Sequence, residues 1–184
     1  MSQRVLYVVI TGAGPARHVD RLVRLAQEAG WSVHSIATPA AVEHFLDLPA
    51  LTELTGHPVR TGHRKPGDAN LPKADAVVVA PATYNTINKF AAGIADTYVT
   101  TQLAELNGMG VPIVVLPFVN QGLANNRPFR RAVEELRLAG VRVLLGPGEF
   151  EPHPPRTGDT VIDQYPWALA LAEAERMAAD DAAR

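Results

Sequence analysis

Five short apolar runs recur along this chain with amphipathic segments between them, and that alternation constrains the fold more than any other feature. The runs are Val5 to Thr11, Ser32 to Ala37, Ala76 to Ala80, Pro112 to Leu116 and Val141 to Leu145. Most are nearly continuous in Val, Ile, Leu and Ala, as strands are when helices cover both faces of a sheet. Between them, apolar residues return at helical spacing, as in Val19, Leu22, Val23 and Ala26, or Phe129, Ala132, Val133 and Leu136. Such alternation builds βαβ units around a parallel sheet. The expected architecture is a three-layer α/β sandwich with a mainly parallel sheet.

Turn chemistry marks the borders. Gly30 and Gly140 stand where helix C-caps belong, and Pro39 and Pro128 stand at helix starts. Helical segments are expected from about Ala16, from Pro39 toward Phe45, around Ile87 to Ala92, from Asp96 to Leu106, and from about Trp167 onward. Residues 47 to 72, rich in Pro, Gly, His and Thr, read as a long connection with one short strand at Val59. Residues 1–184 are read as a single domain that includes the irregular proline-rich segment 146–166 and the C-terminal helix.

Composition removes several classes of function. The formal net charge is −2 with no basic stripe, so no nucleic-acid partner is expected. No apolar run approaches the roughly 20 residues of a membrane span. The chain has no cysteine, which excludes disulfides, thiolate metal sites and a cysteine nucleophile; no metal site is expected. The start, Met1-Ser2-Gln3-Arg4, lacks a signal-peptide pattern, and the cytoplasm is the expected location.

In a sheet of this kind ligands bind beyond the carboxyl ends of the strands. Four loops leave those ends. Thr11-Gly12-Ala13-Gly14-Pro15-Ala16 joins strand to helix; its glycines allow close backbone approach and its N–H groups attract an anion, although a tight turn alone would also use glycine. Thr38 follows the second strand where a dinucleotide site would carry Asp or Glu, which favours a mononucleotide. Pro81 ends the third strand and leads into Ala82-Thr83-Tyr84-Asn85-Thr86, small and hydroxylated residues suited to a flat ring. Asn85 can donate and accept at such a ring's N–C=O edges, while Asn85 or Thr83 can equally cap the next helix. Leu116-Pro117-Phe118-Val119-Asn120 repeats the pattern of a strand stopped by proline and followed by asparagine.

Pro81-Ala82-Thr83-Tyr84-Asn85-Thr86 resembles the Pro-Ala-Ser-Ala-Asn-Thr motif of the homo-oligomeric flavin-containing cysteine decarboxylases, which include phosphopantothenoylcysteine decarboxylase and peptidyl-cysteine decarboxylases. Asn88 to Asp96, Pro117 to Asn120, and Thr38 to Ala41 with Phe45 are similar to further motifs of that family, in its order. The resemblance implies a flavodoxin-like (Rossmann-type) fold and FMN as cofactor. It implies phosphate contacts from Gly12, Ala13, Gly14 and Thr38, and ring contacts from Thr83, Tyr84, Asn85, Thr86 and Phe118. It also implies oxidative decarboxylation of a cysteine-like small-molecule or peptide substrate, with Asn120 on the carboxylate and Asn85 positioning flavin and substrate. A homo-oligomer, trimer or dodecamer, follows from the same likeness.

The chain departs from that family where proton transfer is concerned. The place of the family's histidine falls on Gly67 or Asp68, and neither supplies an imidazole. His57 and His63 lie upstream in the same loop as substitutes. Ala13, Val119 and Leu123 replace a hydroxyl residue and two methionines of the family pattern, and the C-terminal flap cysteine is missing. An FMN-binding regulatory protein without decarboxylase activity is the alternative, and a flavin prenyltransferase-like activity the more distant one.

Overall fold

The five apolar runs form one sheet. In the computed structural model, which describes residues 3–183 apart from 65 and 68, the strands are β1 (Val5–Ile10), β2 (Ser32–Ala37), β3 (Ala76–Ala82), β4 (Ile113–Pro117) and β5 (Arg142–Val143). Their order is β2-β1-β3-β4-β5 and every pairing is parallel. Val5 pairs with Ser32, Leu6 with Ala76, and Val77 with Ile113. All seven residues of β3 are buried, as its unbroken apolar character requires of a central strand covered on both faces.

The helices are α1 (Asp20–Glu28), α2 (Pro39–His44), α3 (Leu48–Thr55), α4 (Tyr84–Ala91), α5 (Tyr98–Gly108), α6 (Gln121–Ala124), α7 (Arg127–Leu138) and α8 (Trp167–Ala182). Helices α1 and α8 pack together, with α8 lying along β3 and β4. Helix α4 packs on α5 and α7; right-handed crossovers put these three on the opposite face. The stripes Leu22, Val23, Ala26 of α1 and Phe129, Ala132, Val133, Leu136 of α7 are buried. Gly30 and Gly140, each at φ +83°, end those two helices in the left-handed conformation that other residues resist. No helix among the described residues is long and apolar enough to cross a membrane.

Three expectations need correction. Residues 47 to 72 are not an unbroken connection. Asp47 accepts a hydrogen bond from Ala50 N (3.0 Å) and starts α3, and Gly56 at φ +72° closes it. At Val59 no strand forms; a single parallel bridge joins Ile36 to Arg60. The last strand is two residues long rather than five, because β5 is an edge strand whose chain turns back at Gly146 to bridge Leu145 and Phe150. The first helix is also divided, a 3-10 turn at Gly14–His18 preceding α1.

Candidate functional site at the carboxyl edge

Strand order reverses between β1 and β3, and the loops that leave these two strands meet beyond their carboxyl ends. Thr11 joins them. Its buried hydroxyl donates to Pro81 O (2.7 Å) and accepts from Thr83 N (2.9 Å), while Thr11 N also donates to Pro81 O (3.2 Å). The Ala80–Pro81 peptide is cis. Thr38 N donates to Ile10 O (3.0 Å) and Phe118 N to Ala82 O (2.9 Å), so the loops after β2 and β4 are fastened to the same edge.

Three of the expected polar residues beside this edge are also helix caps. Thr38 Oγ1 accepts from Ala41 N at the start of α2, Thr83 Oγ1 from Thr86 N at α4, and Asn120 Oδ1 from Leu123 N at α6. Thr86 is buried, with its hydroxyl 3.0 Å from that of Thr83. The structural roles are therefore real, and they decide which atoms stay free for a ligand. Asn120 uses its carbonyl oxygen on the cap and keeps its NH2 group. Asn85 is exposed at the first turn of α4 and its amide makes no hydrogen bond to a described residue. The Tyr84 ring stacks on Phe129 of α7 (5.6 Å, 14°), so only its backbone faces the edge.

Gly12 is sterically required, and Gly14 is tightly packed against the flexible end of Ile162. A Cβ on Gly12 would stand 2.9 Å from Ala40 Cβ, and one on Gly14 would stand 3.0 Å from Ile162 Cδ1. Ala13 opens the 3-10 turn, its carbonyl accepting from Ala16 N (2.9 Å). The N–H groups of Gly12, Gly14, Tyr84 and Asn85 have no acceptor among the described residues. A set of orphan backbone donors at a strand-to-helix edge, with hydroxyls and amides around it, suits a phosphate and the polar rim of a planar ring. The residues present fit a flavin mononucleotide. Among the described residues no group of three or more His, Asp or Glu side chains is arranged to hold a metal.

The segment between β5 and α8, read as irregular, is built into this edge. Tyr165 is buried and donates to Leu116 O (2.6 Å) at the register shift between β3 and β4; burial holds its hydroxyl pKa well above the usual tyrosine range. Phe118 packs on Phe150, His153 and Tyr165 with centroids 5.7, 5.0 and 5.7 Å away. Asp163 pairs with Arg21 of α1 (2.8 Å). Sequence reasoning missed Tyr165 and His153 as parts of the site, and it placed Thr11 in its loop without assigning the hydroxyl a role. The run Pro154-Pro155-Arg156-Thr157-Gly158 signals a turn, but nothing in it says where the turn docks.

The two substitute histidines lie elsewhere. His57 Nε2 is 3.4 Å from the hydroxyl of Ser32, which pairs with Val5 at the amino end of β1. His63 packs edge-on against Tyr98 and lines a cavity with Lys73, Ala74 and Val111, which precede β3 and β4. Within one chain neither reaches the carboxyl edge. Gly67 lies in the same loop at φ +93°, and Asp68, the other position at the family's histidine, lies outside the described residues.

The strand order and the switch-point edge define a doubly wound α/β protein with a flavodoxin-like fold. Residues 1–164 match the flavoprotein family, and the chain belongs to that family. It is 30% identical over 147 residues to the coenzyme A biosynthesis bifunctional protein CoaBC of Thermococcus kodakarensis, a match that covers 76% of this chain and 36% of that one. The chain thus spans about a third of the length of the curated relatives it matches. Its structure is similar to the FMN-dependent cysteine decarboxylase TvaF from thioviridamide biosynthesis, with a TM-score of 0.73 at 24% identity over 97% of this chain and 99% of that one. It is also similar to AnUbiX (PadA1), solved in complex with FMN and dimethylallyl pyrophosphate, with a TM-score of 0.72 at 17% identity over 95% and 93%. At such identities these two likenesses speak to the fold.

Proposed function

We propose that this chain binds FMN at the carboxyl edge and uses it in the oxidative decarboxylation of a cysteine-like thiol carboxylate, free or at the end of a peptide. The observation that carries this reading is the convergence of the unpartnered N–H groups of Gly12, Gly14, Tyr84 and Asn85 around the Thr11 hydroxyl. Gly12, Ala13, Gly14 and Thr38 are assigned to the phosphate, where backbone donors and a helix start favour negative charge. Thr83, the Tyr84 backbone, Asn85 and the Phe118 backbone are assigned to the ring, with Thr86 holding Thr83 in place. When bound, the flavin supplies a two-electron acceptor for the carbon beside the thiol. Asn120 keeps its NH2 group because the α6 cap takes its oxygen, and that donor is assigned to the substrate carboxylate. Asn85, exposed beside it in this reading, orients ring and substrate together.

The reading extends to a homo-oligomer, a trimer or a dodecamer of trimers, in the cytoplasm. Ile94, 48% exposed, and a groove of about 680 Å³ between α4 and α7, where Ala91, Ala92 and Pro128 lie among Lys89, Arg131 and Glu135, offer a mixed face for that assembly. A second reading is favoured by one observation: position 67 is a glycine, and neither His57 nor His63 is near the edge, which suits an FMN carrier without decarboxylase activity.

The purified protein should be yellow, with a flavin spectrum and mononucleotide released on denaturation; a colourless protein that cannot be reconstituted with FMN refutes both readings. Release of CO2 from thiol carboxylates separates them. Asn85→Asp should weaken FMN retention, since a carboxylate repels the ring carbonyls, and unchanged flavin content would remove Asn85 from the ring contacts.

A further inference from the structure

The segment after β5 places an imidazole at an edge whose other assigned side chains do not titrate near neutrality. We propose that His153 is the proton acceptor of this site, its Nε2 facing the thiol of the bound substrate; the inference rests on the function proposed above.

Three observations set the position. His153 forms a parallel bridge with Asn120, and its carbonyl accepts from Gln121 N (2.8 Å), so backbone pairing holds it beside the residue assigned to the substrate carboxylate. Its ring lies 5.0 Å from that of Phe118 at 43°. The same Phe118 ring edge, at Cε1, is 3.7 Å from where a Gly14 Cβ would stand, so one phenyl ring separates the glycine loop from the imidazole. Gly158 covers the other side. A Cβ there would lie 3.4 Å from His153 Cε1 and 3.5 Å from Phe118 Cε1, in van der Waals contact with both rings.

The tautomer is set by chemistry rather than by choice. His153 Nδ1 lies 2.9 Å from Pro154 O, and a carbonyl can only accept, so Nδ1 carries the hydrogen. In the neutral ring Nε2 then holds the lone pair, and it makes no hydrogen bond to a described residue. Pro154 O also accepts from Thr157 N (3.3 Å) and Thr157 Oγ1 (2.8 Å), closing a turn with Pro155 second and Arg156 third at φ +69°. A base oriented through its other nitrogen is the arrangement general-base catalysis requires.

The step moves one proton. The S–H bond breaks, the electron pair stays on sulfur, and a bond forms between hydrogen and Nε2. After CO2 leaves, the same proton returns to the product sulfur, so His153 ends neutral. The groups set against the ring, Phe118, Gly158 and the Pro154 carbonyl, carry no charge, and neither do Asn120 and Gln121, which pair with its backbone. The charged residues of its own segment are Glu149, which pairs with Arg142, Glu151, Arg156, Asp159, and Asp163, which pairs with Arg21.

Two-bond proton–nitrogen spectra of histidine-labelled protein, with the His153 signal assigned from its loss in His153→Gln, test this without turnover. The expected result is hydrogen on Nδ1, and a His153 signal that moves when FMN is added to the apoprotein while those of His34, His57 and His63 stay in place. Hydrogen on Nε2, or a yellow protein whose His153 signal does not move, overturns the inference and leaves FMN binding standing. A colourless protein instead overturns the function on which it rests. For N-acetylcysteine or a peptide ending in cysteine, His153→Gln should retain its flavin yet bleach it about 10²–10⁴-fold more slowly, without the acidic limb of the wild-type pH profile. Bleaching at the wild-type rate would exclude His153 as the base.

Discussion

The two edges of the sheet are made of different materials. The carboxyl edge is glycine, threonine, asparagine and free backbone N–H. The amino edge holds His34, His57, His63, Tyr7 and Tyr98 around cavities of about 440 and 530 Å³. His34 and His57 stack (4.0 Å, 17°) with both Nε2 atoms 3.4 Å from Ser32 Oγ. Burial, with the neighbouring His57 adding to it, pushes His34 down to about 4, and burial pushes Tyr7 up to about 12. By density of titratable groups the amino edge is the more chemical of the two. It is satisfied by its own contacts, however: the Tyr7 hydroxyl donates to Pro72 O, and the histidine pair fastens His57 to β2. Parallel strands make the difference. Every helix that follows a strand begins at the carboxyl edge, so helix-start N–H groups collect there rather than at the amino edge. Backbone direction, not the count of reactive side chains, locates the site.

That contrast breaks first at Thr11. Thr11→Val keeps the shape but removes the acceptor of the Thr83 N–H and one donor to Pro81 O. An orphaned half-buried N–H should cost about 1–3 kcal/mol in urea unfolding, and flavin retention should fall with it. Unchanged stability would mean the two loops are held together by something other than this hydroxyl. The amino edge should respond to pH instead. With its folded-state pKa below the unfolded one, His34 stays neutral in the native protein while the unfolded chain takes up a proton near 6.5. Stability is therefore full above pH 6.5 and lost as pH falls toward 4. Discounted for solvent reaching the pair, the loss is about 1–2 kcal/mol. Urea midpoints from pH 7.5 to 4.5 should show this slope in the wild type and a shallower one in His34→Gln. Equal slopes would shift the acid sensitivity to other groups.

The sheet and its order of strands were legible because burial on both faces leaves unbroken Val-Val-Val runs, as at Val77 to Val79, that admit few alternatives. The four loops were legible for the same reason, since prolines at the ends of two neighbouring strands, Pro81 near the end of β3 and Pro117 at the end of β4, mark where the edge must be. What stayed hidden was long-range. Asp47 and Pro49 are cap signals for α3, but the surrounding Gly, His and Thr mask them. His153 and Tyr165 acquire meaning only when Phe118, more than thirty residues earlier, gathers them into an aromatic cluster. Tyr84 was assigned to the ring by its position in the motif, and its side chain turns instead to Phe129, a partner that no local pattern announces.

The smaller effects refine the carboxyl edge. Thr83→Ala should cost about 1 kcal/mol as a lost N-cap, and more than that in flavin retention if the hydroxyl also meets the ligand; a matched loss in both would reduce Thr83 to a cap. Smallest is the turn that orients His153. Arg156 is exposed and left-handed at φ +69°, a conformation costing a side-chain-bearing residue about 1 kcal/mol. Glycine would relieve that strain but add freedom to the unfolded chain, an offset of about 0.4–1 kcal/mol, so Arg156→Gly should leave the urea midpoint nearly unchanged. If the turn is held by Thr157, Pro154 O and the packing of Phe118, the His153 tautomer should survive the substitution as well. A loss larger than about 1 kcal/mol, or a hydrogen moved to Nε2, would show that the guanidinium anchors the segment, and the carboxyl edge would then depend on a charge after all.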